Sequence, residues 1–201
     1  MIAAVVLAAG LARRMGRQKL LLEVEGKPIV RRSVEGVLPH VEDALVVTGP
    51  ADTQIAAALV GLRVRCVVNP HPEHGQGSSI AAGIAALRSD TTAVVVALGD
   101  QPALPPAVVP SLVERFRRTG KAIVAPVYRG VQGTPVIFGA DVFPELLALT
   151  GDTGARAVVQ RDPSRVERVA FDVTMPLDID TPEDYARLSE PSRPEHGTGV
   201  Q

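Results

Sequence analysis

Short runs of Val, Ile, Leu and Ala recur along the chain at residues 2–8, 44–48, 64–68, 93–98 and 122–127. The runs are continuous rather than alternating, which is how strands buried on both faces read. None of them has the look of an edge strand. Helix-like stretches near residues 28–38, 51–60, 78–88 and 106–118 separate them. Strands alternating with helices in this way predict a mostly parallel sheet covered on both faces, a doubly wound Rossmann-like α/β fold. After Val127 the order loosens. Residues 134–138 and 166–171 read as strands and 141–148 and 154–160 as short helices, a half expected to close over the carboxyl edge of the sheet. A last helix over 181–188 precedes a Pro-, Ser- and Gly-containing tail, 191–201, that has little to bury and is expected to be disordered. With neither repeat nor linker, residues 1–190 are expected to form one domain.

The chain's 201 residues, 46% of them hydrophobic, suffice for a sizeable core. Its 21 basic and 22 acidic residues leave a net charge of -1, so no overall field favours nucleic acid or an anionic membrane, and neither is expected as a partner. Any anion site must be local. Cys66 is the sole cysteine, which rules out an internal disulfide and a multi-cysteine zinc site and suits the cytoplasm. The apolar opening, 2–9, is too short to span a bilayer and lacks a basic segment before it, so it is expected to be a buried strand rather than a signal or anchor.

Ligands in open α/β sheets bind beyond the carboxyl ends of the strands, so the residues just after each run carry the most information. The first run leads into Leu7-Ala8-Ala9-Gly10 and then a loop with Arg13, Arg14, Gly16, Arg17 and Lys19. Glycines let backbone N–H groups approach an anion, and Arg14 and Lys19 can neutralise a polyphosphate. The spacing matches neither a Walker loop nor a dinucleotide fingerprint. A second polar turn, Asn69 to Ile80, enters an Ala-rich helix, where Ser78 and Ser79 are expected to cap the helix or to meet an anion at its start. His71 and His74 flank Pro72, which disfavours a shared helical face, and no metal is expected there.

Carboxylates close the fourth and last runs. Gly99-Asp100-Gln101-Pro102 places an aspartate at the ligand edge, either as a turn residue or as an oxygen ligand for Mg²⁺. In Asp178-Ile179-Asp180-Thr181-Pro182-Glu183-Asp184 two aspartates share one face at strand spacing, while Thr181 to Asp184 reads as an N-cap with a capping box. Gly154-Ala155-Arg156 opens a helix whose start and guanidinium suit a phosphate, or else Asp152 simply caps that helix.

The pattern L-A-A-G-x-x-x-R-M-G-x-x-K, followed by Leu21-Leu22 and Gly26-Lys27-Pro28, resembles the MobA/MocA-type nucleotidyltransferases of molybdenum-cofactor maturation, whose fold is that of the nucleotide-diphospho-sugar transferases. The match continues through G-x-S-S-I, G-D-Q-P, D-I-D-T-P-E-D, and the G-T-P-V and G-D-x-G-A-R segments of the looser half. The resemblance implies that Leu7, Ala8, Ala9, Gly10, Arg14, Gly16 and Lys19 hold an NTP, with Asn69, Gly77, Ser78 and Ser79 near its base and ribose. It implies catalytic roles for Arg14, Lys19 and Asp100, and Mg²⁺ on Asp100 with a second ligand at Asp180 or Asp178. Residues 1–128 would then bind the NTP and 129–190 the acceptor, through Gly133, Thr134, Pro135, Asp152, Gly154 and Arg156. Ala12 stands where many members have Ser. The implied reaction transfers CMP from CTP to a molybdenum-loaded, phosphorylated pterin, L-A-A-G being typical of cytidylyl and L-A-G-G of guanylyl members, with an apo molybdoenzyme or its chaperone as a partner. Guanylyl transfer, transfer to another phosphorylated small molecule, and a non-catalytic cofactor-delivery module are the alternatives.

Overall fold

The computed structural model describes residues 1–10, 18–49 and 53–189. The first strand, β1 (Ile2–Ala8), is followed by a tight hairpin of β2 (Glu23–Val24) and β3 (Lys27–Pro28), helix α1 (Ile29–Val37), β4 (Asp43–Thr48) and α2 (Thr53–Ala58). Next come β5 (Arg65–Val68), α3 (Gln76–Ala85), β6 (Ala93–Leu98), α4 (Val108–Thr119) and β7 (Ile123–Tyr128). The remainder consists of β8 (Val131–Gln132), β9 (Val136–Gly139), α5 (Phe143–Leu147), α6 (Arg156–Arg161), β10 (Val166–Phe171) and α7 (Pro182–Ser189). The apolar runs thus become strands where the sequence puts them. The β2–β3 hairpin, which turns through Glu25 and Gly26 at positive φ, adds an element that no apolar run announces.

The main sheet runs β10-β7-β9-β6-β1-β4-β5, with β8 attached to β7. Its pairs are parallel except for those of β8 and of β9, which lies antiparallel between β6 and β7. Here the looser half departs from expectation. It does not merely close over the sheet's edge but contributes β9 to the middle of the sheet and β10 to one border. The run at 64–68 is also a correction. It forms the opposite border, with Arg65, Cys66 and Val68 exposed, because among the described residues no strand follows it on that side. Its valines resemble those of a central strand, and only the topology distinguishes them.

Alternate residues of β1 feed two separate core layers, as the two-residue period requires. Ala4, Val6 and Ala8 pack with Ile29, Val34 and Leu112 under α1 and α4. Val5, Leu7 and, just beyond the strand, Ala9 pack with Ile80, Ile84, Leu146 and Val158 under α3, α5 and α6. The fold is therefore doubly wound. Gly83 brings α3 down onto the sheet: a Cβ there would lie 2.5 Å from Val5 Cγ1. Among the described residues no helix is long and apolar enough to cross a membrane.

Candidate functional site

Strand β1 pairs with β4 on one side and β6 on the other, and the chain winds in opposite senses from there, which opens a crevice at the carboxyl ends of β1 and β6. The two ends are held level: the Gly99 N–H donates to the Leu7 carbonyl at 2.9 Å. Ala9 and Gly10 therefore face Asp100 across the crevice. The final segment joins them through the Ile179 N–H, which donates to the Asp100 carbonyl at 3.2 Å. Ile179 is fully buried, and its side chain anchors the segment so that Asp178 and Asp180 both line the cleft. Leu20 does the same for the 3-10 turn Lys19–Leu21, burying itself while Lys19 meets the carboxylates.

The Lys19 ammonium sits between two of these carboxylates, 2.8 Å from Asp100 Oδ2 and 2.7 Å from Asp180 Oδ1. Burial alone would lower the Lys19 pKa, but the charges and hydrogen bonds of Asp100 and Asp180 outweigh it and hold the pKa above its ordinary value. Asp178 is engaged differently. Gln101 Nε2 donates to its Oδ1 at 2.7 Å. Burial, with the nearby Asp100 charge, raises the Asp178 pKa against the pull of that bond. Gln101 is itself buried, and its Oε1 accepts from the Thr134 hydroxyl at 2.7 Å. The Thr134 carbonyl accepts from the Tyr128 hydroxyl at 2.7 Å. One side chain thus ties an aspartate of the cleft to the loop carrying the cis Thr134–Pro135 bond.

Two cavities adjoin here. The first, about 460 Å³, is lined by Leu7, Ala9, Gly10, Lys19, Ser79 and a ring of carboxylates from Glu73, Asp100, Asp152, Asp178 and Asp180. The second, about 500 Å³, has apolar walls from Ile80, Val96, Val136 and Phe138, and its charged lining residues are Arg156 and Arg168. Leu7, Gln76 and Leu98 line both and form the partition. Among the described lining residues the first cavity sets five carboxylates against one ammonium. A polyphosphate can enter only with added positive charge.

The residues picked out from sequence are distributed unevenly around these cavities. Gly133, Thr134 and Arg156 line the second; Asp152 lines the first. Pro135 and Gly154 line neither. Gly154 packs against Gln76, whose Oε1 would lie 2.1 Å from an added Cβ. Ala8 faces the opposite core layer, so its methyl is turned away from the cleft. Arg14 and Gly16 lie outside the described residues.

The turn before α3 is a correction. Neither serine caps the helix, because it starts earlier than expected, with Gly75 at the N-cap and φ of 88°. A Cβ on Gly75 would lie 2.4 Å from the Gly151 backbone, so only glycine fits. Asn69 is buried, and its amide donates to Ser78 Oγ at 2.8 Å and to Ser79 Oγ at 3.0 Å. Ser78 Oγ lies 2.8 Å from the Gly75 carbonyl and 3.0 Å from that of His71. The Gly77 N–H donates to the Gly151 carbonyl at 2.9 Å. Asn69, Gly77 and Ser78 thus bind the turn together, and Ser79 alone of the set lines the cleft. Asp152 does not cap α6, whose N-cap is Ala155. The Thr181–Asp184 capping box is formed, with the Thr181 N–H donating to Asp184 Oδ2 at 2.9 Å and the Asp184 N–H to Thr181 Oγ1 at 3.2 Å. Sequence reasoning passed over Gln76, Gln101 and Arg168. Gln101 follows the strand-end aspartate directly, the one signal that pointed to it.

The family model described as a MobA-like NTP transferase domain matches residues 4–167. The chain belongs to this family. It is accordingly a nucleotidyltransferase, and its relatives carry several names. The purine catabolism protein PucB of Bacillus subtilis is 30% identical over 90% of this chain and 92% of its own length. A probable molybdenum cofactor guanylyltransferase of Natronomonas pharaonis is 36% identical over 61% of this chain and 60% of its own. The molybdenum cofactor cytidylyltransferase of Escherichia coli is 24% identical over 92% of this chain and 94% of its own. Among solved structures, the manganese complex of Rv0371c from Mycobacterium tuberculosis superposes with a TM-score of 0.79 at 29% identity, covering 93% of this chain and 97% of that one.

Proposed function

We propose that this MobA-like enzyme is a cytoplasmic, Mg²⁺-dependent cytidylyltransferase that moves CMP from CTP onto the phosphate of a molybdenum-loaded pterin, for delivery to an apo molybdoenzyme. The observation that carries the reading is the pair of adjoining cavities, one lined by Lys19 and a ring of carboxylates and one with apolar walls, amides and two arginines. The first suits a nucleotide and its cation; the second, with apolar walls beside Gln132, Gln160 and two arginines, suits a flat heterocycle that hydrogen-bonds at its edge and ends in an anion. The relatives named for cytidylyl and guanylyl transfer to molybdenum cofactor support that acceptor.

The donor set fits Mg²⁺. Hard carboxylate oxygens of Asp100, just past β6, and of Asp180, in the segment before α7, are already gathered around one cationic group, the Lys19 ammonium. Asp100, with Asp178 or Asp180, would hold the ion, which when bound supplies positive charge to the nucleotide's phosphates. In the reaction an acceptor phosphate oxygen forms a bond to the α-phosphorus as the bond from that phosphorus to the bridging oxygen breaks, and pyrophosphate leaves. Lys19 would exchange its carboxylates for phosphate oxygens and meet the charge that builds there, with Arg14 acting beside it. Arg156 holds the acceptor's anionic end. Positioning and electrostatics supply the catalysis, and no protein nucleophile takes part. Ala9, at the cleft wall, supports cytosine over guanine by narrowing the slot for the base.

Pyrophosphate release on mixing the enzyme with Mg²⁺, CTP and the pterin acceptor tests the reading. Turnover with CTP is expected, and Asp100→Ala should retain less than about a tenth of it while keeping the fold. Turnover with GTP alone would replace cytidylyl by guanylyl transfer. Release with a polyol phosphate but not the pterin would reassign the acceptor, and nucleotide binding without release would leave a delivery module.

A further inference from the structure

At the mouth of the first cavity the 3-10 turn Pro72–His74 carries side chains that the transfer reaction does not use. Pro72 sits at the start of this turn, where its missing N–H and fixed φ are tolerated, and the turn brings His71 and His74 together rather than separating them. Their rings stack with centroids 5.1 Å apart. Glu73 reaches between them: its Oε1 is 3.2 Å from His71 Nδ1 and 3.9 Å from His74 Nε2. All three ligand atoms lie within 4.8 Å of one another, the one such group of three among the described residues.

The backbone beneath these side chains is held in place. The His71 N–H donates to Asn69 Oδ1 at 3.0 Å, and the His71 carbonyl lies 3.0 Å from Ser78 Oγ. The His74 carbonyl accepts the Gly151 N–H at 3.0 Å. The buried Asn69 amide therefore fixes the histidine turn as much as the start of α3. Ligand atoms around a single ion bound at about 2.0–2.2 Å stand roughly 3–4 Å apart, so a contraction of about an ångström by exposed, rotatable side chains closes the set.

From this geometry we propose a divalent-cation site on His71, Glu73 and His74, selective for imidazole-seeking ions such as Zn²⁺, Ni²⁺ or Co²⁺ and separate from the Mg²⁺ carboxylates. Two imidazoles with one carboxylate favour such ions over Mg²⁺, which prefers oxygen alone. Glu73 lines the cleft, so an ion held there borders the nucleotide's entrance and leaves coordination positions open beside it. The site does not depend on which nucleotide or acceptor the enzyme takes.

Co²⁺ is the probe, because its visible absorption reports imidazole ligation. With the full-length protein in saturating Mg²⁺, Co²⁺ should give a saturable absorption band and a calorimetric isotherm of one ion per chain. His71→Gln with His74→Gln should weaken binding by roughly tenfold or more, and Glu73→Gln should weaken it measurably. His40→Gln, and Asp178→Asn with Asp180→Asn, should leave Co²⁺ affinity unchanged. The substituted side chains of the turn are exposed, and circular dichroism verifies the fold of each variant. Undiminished Co²⁺ affinity in the double histidine variant, or loss of binding only in the double aspartate variant, overturns the proposal.

Discussion

Two single residues set much of what the cleft can do. Gln101 joins Asp178 to Thr134 with both ends of its amide, so the carboxylate position and the Thr134 loop move together. Gln101→Leu keeps the bulk and removes both bonds. It should cost about 1–3 kcal/mol of stability through the stranded partners and raise both the Mg²⁺ needed for half-maximal rate and the acceptor KM. Loss of stability with unchanged kinetics would confine Gln101 to holding the fold. Ala9 is the second. The tight approach of helix to β1 is taken up at Gly83 rather than at Ala9, which instead lines the cleft. On the proposed cytidylyl reading, Ala9→Gly should relax discrimination between CTP and GTP by about 1–3 kcal/mol without reversing it, as calorimetric titration of the unsubstituted protein and the variant with each nucleotide will measure. The sequence placed Asp178 and Asp180 on one face but had no ground for separating them. Their hydrogen-bond partners differ, Gln101 for Asp178 and Lys19 for Asp180, and both contacts reach across the fold where spacing cannot reveal them.

At the scale of elements, strands were legible wherever the apolar run alone decides, as in β1, β6 and β10, whose ends match the sequence reading. What the runs hide is the partner. β9 reads like any short strand, yet it pairs antiparallel with both neighbours, and β5 reads as central yet lies at a border. In the polar turn before α3, the burial of Asn69 and its bonds to Ser78 and Ser79 are invisible in one dimension. Strand β7 ends on Tyr128, which is buried and donates to the Thr134 carbonyl. Burial pushes its phenol well above the usual tyrosine range. Above about pH 10 the unfolded chain releases this proton while the folded chain keeps it, so stability falls as pH rises. Tyr128→Phe should lose about 1 kcal/mol at neutral pH and then show a shallower alkaline decline, by up to about 1.4 kcal/mol per pH unit. Urea unfolding from neutral pH to pH 11 compares the two slopes, and parallel slopes would mean that the phenol ionises as readily in the fold as outside it.

For the whole molecule, the halves proposed for nucleotide and acceptor are divided by surface, not by architecture. Both cavities share Leu7, Gln76 and Leu98, and the sheet passes from β6 through β9 to β7 without a seam. A fragment ending at residue 128 keeps Lys19 and Asp100 but lacks β9 and the buried Ile179. It should show little cooperative unfolding by circular dichroism, whereas a chain ending at residue 190 should melt as the full protein does. A folded fragment 1–128 would restore two separable units. The late arrival of β9 also matters while the chain is being made. As synthesis proceeds, the Val-rich β6 leaves the ribosome with one edge unpaired and stays so until residues 136–139 follow, so a stall between them presents chaperones with a sticky, half-finished sheet.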